Sequence, residues 1–143
     1  MKKKIAILGS TGSIGKSTLD IIRKDKKNFD VVLLSANNNY KKIVQQAKEF
    51  NAKNILINNE LFYKKTKKLL KKNKTKVYSG SISINKIIRE KLDFTMSAIV
   101  GIAGLQPTVD AVKISKTVAI ANKETIICGW GILSKYIKES KTK

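Results

Sequence analysis

The chain has 143 residues and a formal charge of +20, from 30 Lys and Arg against 10 Asp and Glu, with 42% hydrophobic residues, enough for one buried core. A single cysteine, Cys128, excludes a disulfide scaffold, and the absence of histidine excludes a self-contained His-based catalyst. No run approaches the roughly 18 apolar residues of a membrane span, and Ile5-Ala6-Ile7-Leu8 behind the basic N-terminus is too short for a secretory signal, so a cytoplasmic single domain without a membrane partner is expected.

Along the chain, two hydrophobic periods alternate. Ile5 to Leu8 is a continuous apolar run stopped by Gly9, as in a strand buried on both faces. Ile14, Leu19, Ile21 and Ile22 then recur at helical spacing between Ser13 and Lys24. Val31 to Leu34 reads as a second strand, and a helix from about Tyr40 to Phe50 gathers Ile43, Val44, Ala47 and Phe50 on one side. Asn54 to Ile57 is a third strand, followed by a lysine-studded helix carrying Leu61, Phe62, Leu69 and Leu70. A short strand at Lys76 to Tyr78, a helix from Ile84 to Glu90 and a strand at Phe94 to Ala98 come next. A helix from about Gln106 to Ser115 tolerates Pro107 near its first turn, where a missing N–H costs nothing. After the strand Thr117 to Ile120, the last helix starts near Lys123; Gly129 and Gly131 are expected to interrupt it after Cys128. The polar tail Lys138 to Lys143 is expected to fray, and Trp130, Ile132 and Leu133 to form an exposed apolar patch. Short β-branched runs alternating with helices mean βαβ units, so the fold class is α/β: a Rossmann-like doubly wound parallel sheet with helices on both faces.

The charge carries less information than its size suggests. Of the thirty basic residues only Arg23 and Arg89 are arginines, and the lysines are spread over the chain with one dense run from Lys64 to Lys76. Arginine is the better reader of bases and phosphates. Abundant lysine, asparagine and isoleucine point instead to a compositional bias at tolerant surface positions. Weak, salt-sensitive attraction to polyanions is expected, and no specific nucleic-acid partner.

The most informative stretch is Gly9-Ser10-Thr11-Gly12-Ser13-Ile14-Gly15, between the first strand and the first helix. A helix N-terminus at the carboxyl edge of a parallel sheet offers free N–H groups and a positive dipole end to a phosphate, and glycines let the backbone come close. The spacing is Gly-x-x-Gly-x-x-Gly; it is not a Walker A loop. At the end of the second strand, where an NAD site carries an acid for the ribose 2′-hydroxyl, this chain has Ser35-Ala36-Asn37-Asn38-Asn39. Amides and hydroxyls donate to a 2′-phosphate that a carboxylate repels, which favours NADP(H) over NAD; the same asparagines also suit a turn and a helix cap. At another carboxyl edge lies Ala121-Asn122-Lys123-Glu124. It reads either as polar groups facing a cofactor's reactive end and an anionic substrate, or as a capped helix start.

The Ile-Leu-Gly-Ser-Thr-Gly-Ser-Ile-Gly run, Ser17-Thr18-Leu19-Asp20, the stretch Ala98 to Thr108 and Ala121-Asn122-Lys123-Glu124 together resemble the 1-deoxy-D-xylulose 5-phosphate reductoisomerase family, in order and approximate spacing. The resemblance implies an NADPH-dependent oxidoreductase of non-mevalonate isoprenoid synthesis. That enzyme rearranges 1-deoxy-D-xylulose 5-phosphate and reduces the intermediate to 2-C-methyl-D-erythritol 4-phosphate, with Mg²⁺ or Mn²⁺ and as a homodimer in the complete enzyme. By matching positions, Thr11, Gly12, Ser13 and Ile14 would hold the NADPH pyrophosphate, and Asn37, Asn38 and Asn39 would stand beside the 2′-phosphate. Asn122 and Glu124 would contact the cofactor near its reactive end, and Lys123 would reach the substrate. Two departures stand out. Relatives with Gly-Lys-Asn carry a cation where this chain has three asparagines. Family features that follow in longer relatives, among them an Asp-Ser-Glu-His metal motif, the substrate-phosphate pocket and a C-terminal helical domain, have no counterpart here. Residues 1–143 are therefore expected to be the NADPH-binding domain alone, with no catalytic or metal-binding residue of its own, binding cofactor without turnover. The alternative is a non-catalytic NADP(H)-sensing module of the same fold.

Overall fold

The computed structural model describes residues 1–80 and 82–143. Six strands, β1 (Lys3–Leu8), β2 (Phe29–Ala36), β3 (Asn54–Ile57), β4 (Lys76–Ser79), β5 (Leu92–Ser97) and β6 (Ser115–Ile120), form one sheet in the order β4-β3-β2-β1-β5-β6. Every pairing is parallel. The helices are α1 (Ser13–Lys24), α2 (Tyr40–Phe50), α3 (Glu60–Leu69), α4 (Ile84–Ile87), α5 (Leu105–Ile114) and α6 (Lys123–Ser140). The chain winds outward from β1 through β4, then crosses back to lay β5 on the other side of β1. The order reverses there, so the loops after β1 and β5 lie side by side at the carboxyl edge.

The period-2 alternation of the strands divides the core. Ile5 and Ile7 of β1 and Ile55 and Ile57 of β3 face one layer with Leu19, Ile22, Ile43, Ala47 and Phe50. Ala6, Leu8 and Leu56 face the other, with Ile84, Ile88, Leu92 and Ala111. A third cluster joins Val109 and Val112 of α5 to Leu133 of α6, with Val118 and Ile120 against it. No helix among the described residues is long and apolar enough to cross a membrane.

Four expectations are corrected. First, α6 is continuous across Gly129 and Gly131. Gly129 is buried against Leu105, where a Cβ would overlap the leucine side chain, so close packing on the preceding segment outweighs the roughly 1 kcal/mol that a glycine costs a helix. Second, Leu133 belongs to no exposed patch: it is fully buried, while Ile126, Ile127, Trp130 and Ile132 are exposed. Third, the tail is fastened. Thr142 donates its hydroxyl to the carbonyls of Val112 (2.7 Å) and Ser115 (2.9 Å), and the Lys143 backbone bonds both Lys116 and Val118 on β6. Fourth, α4 stops at Ile87 rather than Glu90, with Ile88 extended and buried. Leu133→Ala is expected to cost about 3–5 kcal/mol in denaturant unfolding, because a fully buried leucine in a three-sided cluster leaves a cavity that two helices and a strand cannot collapse.

Candidate functional site

The site is built where β1 hands over to α1. Gly9 sits at φ +82°, and a Cβ there would stand 2.7 Å from the Ala98 carbonyl oxygen, so the turn and its contact with the loop after β5 both require glycine. Ser10 is buried and tied twice to neighbouring elements. Its backbone N–H donates to the Ser35 carbonyl (2.8 Å), and its hydroxyl donates to Gln46 Oε1 (2.8 Å). Gln46 Nε2 returns a bond to the Ser10 carbonyl (2.8 Å), and the Gly9 N–H donates to Ser35 Oγ (3.0 Å). The loop therefore hangs from β2 and α2 as well as from its own strand.

From Thr11 the polar groups turn outward. Gly12 is the N-cap of α1 with no side-chain cap bond, and no backbone bond engages the N–H groups of Ser13, Ile14 and Gly15 among the described residues. Asn39, Asn59 and Asn122 cap α2, α3 and α6 with their side-chain oxygens, whereas α4 and α5, like α1, start without a side-chain cap bond. A Cβ on Gly15 would lie 2.6 Å from Ser10 Cα, so the first turn is pressed onto the loop. Thr11 is half-buried; Gly12, Ser13 and Ile14 are exposed. These features fit a pyrophosphate: unpartnered donors at a positive helix end, with only the Gly9 carbonyl within 4 Å of where a Cβ of Gly12 would stand.

Asn37, Asn38 and Asn39 follow β2 on the same edge and are exposed. Asn39 Oδ1 accepts from the Lys42 N–H (3.2 Å) as the cap of α2. Asn38 Oδ1 accepts from Asn59 Nδ2 (2.9 Å) and Asn37 Oδ1 from Asn58 Nδ2 (3.4 Å). At the β5–β6 side, Asn122 is buried and its amide is completely engaged. Nδ2 donates to the carbonyls of Ile99 (2.6 Å) and Gly101 (2.7 Å), and Oδ1 accepts from the N–H groups of Glu124 (2.9 Å) and Thr125 (3.4 Å). The capped-helix reading of this stretch holds, and the same amide fixes the Ile99–Gly101 loop. Lys123 is exposed and Glu124 partly so, one residue and two residues beyond that cap.

Gln46, Asn58 and Asn59 join the site only through the tertiary structure. Gln46 lay on the buried stripe of α2, three residues after Ile43 and four before Phe50, and a polar residue in that row was its signal. Asn58-Asn59 repeats, after β3, the asparagine pattern that follows β2.

Lys4 pairs with Glu90, Lys53 with Asp30 and Glu90, and Lys116 with Asp93, all at or just before the amino ends of strands. The hydrogen bond from Lys116, then that from the Lys4 N–H, holds the Asp93 carboxyl below its usual range. The bond to Asp30 raises the Lys53 ammonium. Asp30, Glu90 and Asp93 are thus paired at the amino edge, while Glu60 and Glu124 stand in the first turns of α3 and α6 at the carboxyl edge. Among the described residues no three His, Cys, Asp or Glu side chains come together.

A switch-point crevice with an uncapped glycine-rich helix start defines the class: a Rossmann-like doubly wound domain. Residues 5–130 match the family profile described as 1-deoxy-D-xylulose 5-phosphate reductoisomerase, and the chain belongs to that family. It is 52% identical over 142 residues to the 1-deoxy-D-xylulose 5-phosphate reductoisomerase of Pelagibacter ubique, covering 98% of this chain and 37% of that protein. The Wolbachia enzyme from Culex pipiens is 44% identical over 138 residues, covering 96% and 35%. Among solved structures, the Zymomonas mobilis reductoisomerase in complex with NADPH superposes with a TM-score of 0.94 at 35% identity, over all of this chain and 38% of that one. A DOX-P reductoisomerase in complex with NADPH, fosmidomycin and magnesium gives 0.91 at 30% identity, over 99% and 35%. The chain therefore spans little more than a third of the length of these relatives.

Proposed function

We propose that the 143 residues form the NADPH-binding domain of a 1-deoxy-D-xylulose 5-phosphate reductoisomerase and bind NADPH without turning over substrate. The observation that carries this reading is the uncapped first turn of α1 at the point where strand order reverses. Thr11, Gly12, Ser13 and Ile14 hold the pyrophosphate through backbone N–H groups and two hydroxyls. Asn37, Asn38 and Asn39 face the adenosine 2′-phosphate. Asn122 shapes the crevice from below by fixing the Ile99–Gly101 loop, Glu124 stands near the reactive end of the cofactor, and Lys123 offers its ammonium to the substrate. The nicotinamide supplies hydride when bound. In this reading the chain contributes binding and orientation: the family's rearrangement needs a metal to polarise a hydroxy-ketone, and no cluster of three His, Cys, Asp or Glu side chains occurs among the described residues.

Calorimetric titration of the folded chain tests the cofactor reading. NADPH is expected to bind more tightly than NADH, and a folded chain that gives heat with neither overturns the assignment. With NADPH, Mg²⁺ and 1-deoxy-D-xylulose 5-phosphate, no loss of NADPH absorbance is expected; steady turnover contradicts the non-catalytic part.

A further inference from the structure

We infer that Asn59 is a positioning residue that sets cofactor preference by holding the Asn38 amide with its NH₂ group outward. The inference rests on the NADPH reading above. The Leu61 backbone N–H can only donate, and it bonds the Asn59 side chain at 2.9 Å, so the atom it meets is Asn59 Oδ1. Asn59 Nδ2 must then face the other way, where it meets Asn38 at 2.9 Å. A donor on that side obliges Asn38 to present Oδ1 to it, which leaves Asn38 Nδ2 directed away from the pair. That NH₂ has no partner among the described residues, and Asn38 is exposed. Asn58 repeats the arrangement more weakly on Asn37, at 3.4 Å. The backbone supports both, since the N–H groups of Asn58 and Asn59 bond the carbonyls of Ala36 and Asn37 and continue the β2–β3 pairing past the strand ends.

An unconstrained asparagine presents either its carbonyl or its NH₂ to a ligand, and the carbonyl repels a phosphate. Fixing the amide removes the wrong orientation, so two neutral side chains take over the work a cation does in recognising a 2′-phosphate. The ribose 2′-hydroxyl of NADH both donates and accepts, and it gains little from the fixed orientation.

Asn59→Asp is the discriminating substitution. Aspartate keeps the oxygen that caps α3 through Leu61, so the fold is retained, but it replaces the donor to Asn38 by an acceptor and favours the flipped amide. Dissociation constants for NADPH and NADH are measured by calorimetry on the parent chain, Asn59→Asp, Asn59→Ser and Leu61→Asp. Leu61 is exposed in the first turn of α3, so aspartate there adds a carboxylate nearby without touching Asn38. The NADPH-over-NADH ratio is expected to fall at least tenfold in Asn59→Asp, by less in Asn59→Ser, and no more than threefold in Leu61→Asp, with NADH affinity little changed in all three. An unchanged ratio in Asn59→Asp, or an equal fall in Leu61→Asp, overturns the inference while leaving the cofactor reading intact. A parent chain that binds neither nucleotide overturns the cofactor reading, and this inference with it.

Discussion

A Gly15→Ala chain is expected to bind NADPH at least tenfold more weakly than the parent and to lose about 1–2 kcal/mol of stability. Two opposed effects decide the sign. Alanine favours a helix over glycine by roughly 1 kcal/mol, which alone predicts a stabilised protein. Its Cβ, however, would stand 2.6 Å from Ser10 Cα and 2.8 Å from the Ser10 carbonyl carbon, and both are backbone atoms of a loop anchored to Ser35 and Gln46. A flexible side chain gives way cheaply and an anchored backbone does not, so the overpacking cost of about 1–3 kcal/mol falls at its upper end. Relief comes by moving the first turn of α1 off the loop, which displaces its unpartnered N–H groups and is expected to weaken anion binding further than stability. Gly131→Ala is the internal control: it too is helical, but its Cβ would meet nothing within 4 Å, so about 0.5–1 kcal/mol of stabilisation is expected. Urea unfolding and NADPH calorimetry of the two variants check the pair. A Gly15→Ala chain as stable as Gly131→Ala, with undiminished binding, contradicts the close approach of helix and loop.

Asn122→Ala is expected to cost about 3 kcal/mol or more. The substitution removes the N-cap of α6, worth about 1 kcal/mol. It also strips two partly buried carbonyls, those of Ile99 and Gly101, of their donor, at about 1 kcal/mol or more for each bond lost. Asn122→Asp separates these contributions. The acid still caps α6 but turns a carboxylate toward two carbonyl oxygens, which raises its folded-state pKa above the unfolded value of about 3.9. A group shifted in that direction takes up a proton on folding, so the destabilisation should be smallest below about pH 4, where the single O–H of the acid still leaves one of the two carbonyls without a donor, and should grow as pH rises through the raised pKa. Urea midpoints for Asn122→Asp and the parent, measured between pH 4 and pH 8, give the difference directly. A difference that does not change with pH would remove the two carbonyl contacts from the account.

The residues that carry the fold were legible in different ways. The first helix at Ser13–Lys24, the second at Tyr40–Phe50 and the third strand at Asn54–Ile57 fall where periodicity and their flanking residues put them. Each is decided by neighbours three or four positions away, or by alternation along one strand. The last helix shows the opposite case. Gly129 reads locally as a breaker, yet it is the residue that lets α6 settle against Leu105. Thr142 reads as frayed tail, yet it bonds carbonyls 30 and 27 residues earlier. Gln46, alone, is a polar intrusion on an apolar stripe; beside Ser10 it becomes the strut of the glycine loop.

By itself, then, the sequence determined the alternating architecture, the glycine loop at the head of the first helix and the absence of an acid after the second strand, because each is a matter of residue type within a few positions. The tertiary structure alone decided which way the asparagine amides face, that Asn122 clasps the loop beside the crevice, and that the final helix runs unbroken. Those outcomes depend on donors, acceptors and packing surfaces brought together from distant parts of the chain, and hydrogen-bond direction and close packing have no local signature for a linear reading to find.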